Sequence, residues 1–348
     1  MERKRIGIVG ATGYVGMELL RLLCGHAGFR AAPPVSKSHA GRPFSEVHPA
    51  FRGLVDEPCA DLDPDWLAAQ CDFVVTALPH GVSASFVPQL LDRGLRVLDH
   101  SADFRFRDPA AYEAAYRLPH PRPDLCAEAV YGWPERYRDR IASARLVANP
   151  GCYPTASLLA VAPLLAAGAV RTDGIVVNAV SGISGAGRKA ETPYLYCESA
   201  DDVRAYAMAG HRHTPEIEQE MSFLAGEAMR VTFVPHLVPM KRGMLATVYL
   251  EPRSPVTQAD LRTLFLDFYR SEPLVRVLAD GSTPSTRSVA GTGFCDVAPF
   301  LDARTGRIIV LSAIDNLGKG AAAQALQALN LMAGFPETEG LRLAGLAV

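Results

Sequence analysis

The apolar positions of this chain follow two periods in turn. Residues 5–9, RIGIV, make a short and nearly continuous apolar run, the pattern of a strand buried on both faces. GATGYVGMELLRLLCGH follows, with Val15, Leu19, Leu22 and Leu23 at helical spacing. The alternation continues: 72–79 (DFVVTALP) predicts a strand, 81–94 (GVSASFVPQLLDRG) a helix, and 95–101 (LRVLDHS) and 143–150 (SARLVANP) further strands. Strands alternating with helices predict a parallel sheet covered on both faces. The proline-rich 117–125 reads as a surface excursion from it.

The pattern changes after residue 170. Residues 173–182, 229–239, 243–252 and 306–315 are β-rich runs, and a helix at about 257–269 interrupts them. This predicts a mixed or antiparallel sheet with helices on one face. The tail 318–334, dominated by Ala and Leu, predicts a helix with Gly334 just past its end.

Composition narrows the function classes. A length of 348 residues suggests two domains, and 49% hydrophobic with 21% charged residues is a soluble globular balance. A net charge of −2 advertises no surface for nucleic acid. Glycines break the apolar run near the N-terminus, so no signal peptide is expected. No stretch approaches the roughly 18 apolar residues of a membrane span. The seven cysteines stand at 24, 59, 71, 126, 152, 197 and 295, an odd number without a CxxC pair. That argues against a disulfide framework and against a bound metal, and for reduced thiols in the cytoplasm.

Gly10-Ala-Thr12-Gly13-Tyr14-Val15-Gly16 joins the first strand to its helix with G-x-x-G-x-x-G spacing. One glycine permits the turn, one lets backbone approach a pyrophosphate, and one lets the helix pack on the sheet; the helix start offers N–H groups to the phosphates. An acid about 20 residues further on would bind the ribose hydroxyl of NAD. Ser36, Lys37, Ser38 and Arg42 occur there before any acid. Such donors suit a 2′-phosphate, so the expected cofactor is NADP(H).

Cys152 ends a strand-like run and opens a helix of Ala and Leu, after Pro150 and Gly151. A thiol of pKa about 8.5 is only about 3% ionised at pH 7, and a helix start pushes towards the reactive thiolate. A nucleophile needs a proton partner. His211 and His213, just before a helix opened by Thr214 and Pro215, are the candidates. His213 is the preferred acid/base and His211 a substrate ligand or alternate base; the sequence does not order the two. The small-residue loop 180–191 places Ser184, Gly185 and Arg188 where backbone N–H groups and a cation can take a phosphate or carboxylate. Arg105 can clamp an anion or pair with Asp103. Asn316, entering the terminal helix, can bind a carboxamide.

The segments GIVGATGYVGMELLRLL, SADFR, ANPGCYPTA, SGISGAGR, HRHTPEIEQE and DNLGKGAAAQALQALNLM occur in that order over about 10–334. In this the chain resembles the N-acetyl-gamma-glutamyl-phosphate reductases of arginine biosynthesis. NPGCYPT and HRHTPEI are the specific parts; the glycine turn is shared more widely, including with aspartate-semialdehyde dehydrogenase. The resemblance implies NADPH reduction of an acyl phosphate to an aldehyde, with Cys152 as nucleophile. It also implies a cytoplasmic homo-oligomer, dimer or tetramer, without nucleic-acid or membrane partners. His100 and Gly318 depart from the family's usual apolar residue and valine, and Gly318 is expected to loosen its turn. The expected fold is α/β: a Rossmann-type dinucleotide-binding domain (1–150 with 316–348) plus an α+β catalytic and oligomerisation domain with a mixed/antiparallel sheet (151–315). Rival readings are an aminoadipyl-phosphate reductase, an aspartate-semialdehyde dehydrogenase and a non-catalytic NADP-binding sensor.

Overall fold

A computed structural model describes residues 3–188 and 190–346; Met1, Glu2, Lys189, Ala347 and Val348 lie outside the described residues. The chain folds as two compact units. Unit 1 runs to Pro150 and resumes over Ala321–Arg342, and unit 2 comprises Gly151–Gly320 and the chain from Leu343.

Unit 1 is built on six strands: β1 (Lys4–Val9), β2 (Phe29–Ala31), β3 (Phe73–Thr76), β4 (Arg96–Asp99), β5 (Val130–Tyr131) and β6 (Leu146–Ala148). Their order is β2-β1-β3-β4-β6-β5, with every pairing parallel. Ile6, Ile8, Val74, Val75, Val97, Leu98 and Val147 are buried, as the apolar runs require. Unit 2 carries β7 (Val176–Gly182), β8 (Arg204–Ala205), β9 (Thr232–Val238), β10 (Met244–Leu250), β11 (Val275–Val277), β12 (Cys295–Asp302) and β13 (Arg307–Ile314). Their order is β11-β12-β13-β10-β7-β9-β8, a mixed sheet in which only β11–β12 and β7–β9 are parallel. Met244, Ala246, Val248 and Leu250 of β10 are buried while the residues between them are half-exposed, the period of a sheet covered on one face.

The helices that position the site are α1 (Tyr14–Leu23), α2 (Val82–Asp92), α3 (Cys152–Ala166), α4 (Thr214–Ala225), α5 (Gln258–Phe268) and α6 (Ala323–Ala333). In unit 2, α3 packs on β10, β12, β13, α4 and α5. Every residue from Tyr153 to Leu165 is buried, which explains why α3 is apolar all round. In unit 1, α6 packs on α1 and ends at Gly334, whose φ of 76° is the left-handed cap.

Three expectations need correction. Residues 316–320 and 343–346 belong to unit 2, whereas the sequence alone assigns them to the dinucleotide-binding domain. Polar anchors hold them there: the buried Asp315 carboxylate accepts from Leu317 N at 2.9 Å and Gly318 N at 3.1 Å, and Leu346 N donates to Ala290 O at 3.0 Å. The proline-rich 117–125 is only partly a surface excursion. His120 and Leu125 are buried, and His120 Nε2 lies 2.6 Å from Asp103 O.

The third correction concerns Gly318, whose turn is tight rather than loose. A Cβ there would lie 2.2 Å from Thr292 O. Asp315, fully buried, also accepts from Gly291 N at 2.5 Å and pairs with Arg242 Nη2 at 2.9 Å. A Gly318→Val variant, carrying the residue usual in the resembling family, should therefore lose about 2 kcal/mol through overpacking. Thermal unfolding would show this as a midpoint lower by several degrees; an unchanged midpoint would mean that the turn relaxes freely.

Candidate active site

The turn after β1 is shaped by two close approaches. Gly10 has a φ of +82°, and a Cβ on it would lie 2.4 Å from Ala77 O; one on Gly16 would lie 2.6 Å from Gly10 O. Only glycine permits the turn and the seating of α1 upon it. Gly13 N closes the turn on Gly10 O at 3.0 Å. Gly13 then caps α1 without a side-chain bond and with no acid in the first turn, so the helix start presents N–H groups and positive potential. Tyr14 and Val15 on that first turn are half-buried. Because β1 has β2 on one side and β3 on the other, its carboxyl end is the switch point of the sheet.

Backbone bonds from Gly10 N and Ala11 N to Val35 O, at 3.0 and 3.2 Å, bring the next segment alongside. Thr12 Oγ1 and Ser36 Oγ are 3.1 Å apart, Ser36 and Ser38 hydroxyls 3.4 Å apart, and His39 Nδ1 lies 2.9 Å from Ser38 Oγ. Lys37 and Arg42 are exposed beside them. No carboxylate stands in this group. The sequence-derived residues Gly10 to Gly16, Ser36, Lys37 and Ser38 thus lie together at the carboxyl end of β1.

In unit 2, Cys152 is the first residue of α3 and is half-buried. Gly151 caps the helix without a side-chain bond, and no acid lies in the first turn. The imidazole of His213 sits over Gly151: a Cβ on that glycine would lie 2.6 Å from Nε2 and 2.7 Å from Cε1. The two segments flagged in the sequence therefore meet at one point. Gly151 N donates to Glu216 Oε1 at 2.9 Å, and Glu216, on α4, is fully buried. From the other side, a Cβ on Gly320 would lie 2.9 Å from Cys152 Cβ. Burial pushes Cys71 up to about 12 and Cys126 up to about 11, out of reach of ionisation at neutral pH.

His211 is placed differently from His213. Its Nδ1 accepts from His213 N at 3.0 Å, so Nε2 carries the proton, and it faces Tyr206 Oη at 3.3 Å. Tyr206 Oη donates to Tyr153 Oη at 3.1 Å, which donates to His236 O at 3.3 Å. Rings of Tyr153, Tyr206, His213 and Phe233 surround it. Burial, helped by Arg212, pushes its pKa down to about 4. The ring is neutral at pH 7, and both its nitrogens have partners, one of them the backbone of His213.

The remaining candidates divide. Asn316 is held within unit 2: Oδ1 accepts from Gly243 N at 2.8 Å and Nδ2 donates to Ser184 Oγ at 2.9 Å. It fixes the Ser184 loop. In that loop Ile183 N and Ser184 N are spent on Met240 O and Lys241 O, while Gly185 and Arg188 are exposed. Arg105, in unit 1, is buried and donates from Nη2 to His100 O at 2.8 Å. Asp103 accepts from Gly81 N, Ala84 N and Tyr112 Oη, capping α2.

Residues 5–144 match the family described as semialdehyde dehydrogenase, NAD binding domain, and residues 152–316 the semialdehyde dehydrogenase, dimerisation domain. The N-acetyl-gamma-glutamyl-phosphate reductase of Symbiobacterium thermophilum is 51% identical over 342 residues, 98% of each chain. That of Acetivibrio thermocellus is 46% identical over 340 residues, again 98% of each chain. The chain belongs to the N-acetyl-gamma-glutamyl-phosphate reductase family. The crystal structure of aspartate semialdehyde dehydrogenase II from Vibrio cholerae shares the fold, with a TM-score of 0.73 at 19% identity, covering 96% of this chain and 99% of that one.

Sequence reasoning about this reductase missed Glu216, Tyr206, Asp315 and Gly320. Glu216 lies inside HRHTPEIEQE, where an acid in a helix reads as solvated surface. The other three act through partners distant in the chain, which no local pattern announces.

The depressed pKa of His211 has a sign. The unfolded chain takes up the proton near pH 6.5 and the folded chain only near 4, so stability present above 6.5 is lost as pH falls through that window. Thermal midpoints should fall from pH 6.5 to 4, and a His211→Asn variant should show a shallower fall. Equal slopes would contradict a buried neutral ring.

Proposed function

We propose that this chain reduces N-acetyl-gamma-glutamyl phosphate to N-acetyl-glutamate 5-semialdehyde, releasing phosphate, with NADPH as reductant and Cys152 as nucleophile. The observation that carries the reading is the His213 ring seated on Gly151, one residue before the thiol at the start of α3. The Thr12, Ser36, Ser38 and His39 group, with Lys37 beside it and no acid, supports NADP over NAD. The chain is read as a cytoplasmic homo-oligomer, dimer or tetramer, with a small acyl phosphate as its substrate. No helix among the described residues is long and apolar enough to cross a membrane.

The Cys152 thiolate attacks the acyl carbonyl, phosphate leaves, and a thioester links substrate to sulfur. The nicotinamide cofactor, when bound, supplies the hydride that reduces the thioester carbon. The uncapped N–H groups opening α3 stabilise the oxyanion at each tetrahedral stage. His213 protonates that oxygen and takes the proton back as the carbon–sulfur bond breaks, which returns the thiolate and frees the aldehyde. Glu216 holds Gly151, and His211 holds the backbone of His213, so both act by position. Ser184, Gly185, Arg188 and Arg105 are the candidates to hold the phosphate or carboxylate groups of the substrate.

Cys152→Ala should abolish turnover, by at least about a thousandfold, while leaving NADP⁺ affinity unchanged. The assay is phosphate-dependent reduction of NADP⁺ with N-acetyl-glutamate semialdehyde, set beside the aminoadipate and aspartate semialdehydes. Full activity in the variant would exclude the covalent route, as expected for a cofactor-binding sensor. Activity on aspartate semialdehyde alone would overturn the substrate.

A further inference from the structure

His100 and Asn149 are the first residues beyond β4 and β6, neighbouring parallel strands in unit 1. Their backbones continue the sheet by one bond each: His100 N donates to Thr76 O and Asn149 N to Asp99 O, both at 2.8 Å. Their side chains then meet. Asn149 Nδ2 lies 3.2 Å from His100 Nδ1, and also 3.4 Å from Ala321 O and 3.5 Å from Pro150 O. Two carbonyl neighbours identify that end of the amide as the NH₂ group, so His100 Nδ1 is an acceptor and Nε2 carries the proton.

This leaves one donor and one acceptor unused. His100 Nε2 and Asn149 Oδ1 are both buried and have no hydrogen-bond partner, and Asn149 as a whole is fully buried. Leaving such groups buried and unpaired is costly, so a ligand that satisfies both is favoured. The His100 ring is the neutral species this requires, since burial and Arg105 push its pKa down to about 3.

We propose that His100 and Asn149 together bind the carboxamide of the nicotinamide ring, His100 Nε2–H donating to the amide oxygen and Asn149 Oδ1 accepting from the amide nitrogen. The assignment rests on the nicotinamide-dinucleotide reading and replaces Asn316 in that role. Its place in the sheet agrees with it. The Ser36 group marks the adenosine end beyond β1 and β2, and a dinucleotide crossing the switch point extends the other way, past β3 towards β4 and β6.

Dissociation constants decide the matter, measured by calorimetry on the full-length protein. The ligands are NADP⁺, its 3-acetylpyridine analogue, in which a methyl replaces the amide nitrogen, and adenosine 2′,5′-bisphosphate, which lacks the nicotinamide. The wild type should bind NADP⁺ about tenfold tighter than the analogue. His100→Leu should lose about tenfold for NADP⁺, His100→Gln should recover most of it, and adenosine 2′,5′-bisphosphate should bind all three proteins alike. Unchanged NADP⁺ affinity in His100→Leu would overturn the assignment. So would an equal loss for adenosine 2′,5′-bisphosphate, or a wild type indifferent to the missing amide nitrogen. A wild type that bound no NADP⁺ would instead overturn the cofactor reading, and this assignment with it.

Discussion

The chemistry proposed for this chain depends on one close approach: an imidazole lying where the side chain of residue 151 would otherwise be. A Cβ on Gly151 would stand 2.6 Å from His213 Nε2, closer than any packing tolerates. The contact fixes the ring beside the start of α3. The helix start itself is held by the bond from Gly151 N to the buried Glu216, one turn into α4, the helix that His213 caps. The proposed base and the helix carrying the proposed nucleophile are therefore tied through the same element. A shift of α4 would move both anchors together, which keeps their mutual geometry constant while the surroundings breathe.

Support for that contact comes from the polar groups around it. His211 accepts from the His213 backbone and passes its own proton towards Tyr206, Tyr153 and the His236 carbonyl. Each group in the line has the role its neighbour needs, so the line is satisfied while half-buried. On the other side of the sulfur, Asp315 gathers Arg242, Gly291, Leu317 and Gly318, and so fixes the turn that brings Gly320 against Cys152. Rigid surroundings of this kind hold reacting groups in line, and small displacements of them are costly to rate.

Much of this was legible in the sequence, for reasons that differ by element. The apolar runs gave β1, β3, β4, β6, β7, β9, β10 and β13, because strands buried on one or both faces carry their burial in their composition. β12 escaped: Pro299 interrupts CDVAPFLD and an acid stands near each end, yet pairing with β13 along its whole length forms it. β2, β5, β8 and β11 are too short to carry a period. At the site, the glycine turn, the Cys152 helix and the paired histidines stood out because each needs special residues in sequence neighbours. The separate roles of His211 and His213 did not, since only the fold decides which ring is enclosed. The bonds of Asn316 to Gly243 and Ser184 were hidden for a related reason: both partners are far from it in the chain.

The glycines show how motif and mechanism are connected. Gly10, Gly151, Gly318 and Gly320 each sit where a Cβ would strike an atom that the site needs in place: the Ala77 carbonyl, the His213 ring, the Thr292 carbonyl and the Cys152 side chain. Two of the four, Gly151 and Gly320, are also the residues at which the chain enters and leaves unit 2. Two of the three passages of the polypeptide between its units thus fall at glycines next to Cys152 in the chain or packed against its Cβ. A residue with a side chain at either position would displace His213 or Cys152 directly. The NPGC and GKG segments are accordingly constrained twice, by the path of the backbone and by the groups packed against it. Of the apolar strands in the same chain only the path and the burial are fixed, and any side chain of suitable volume can serve.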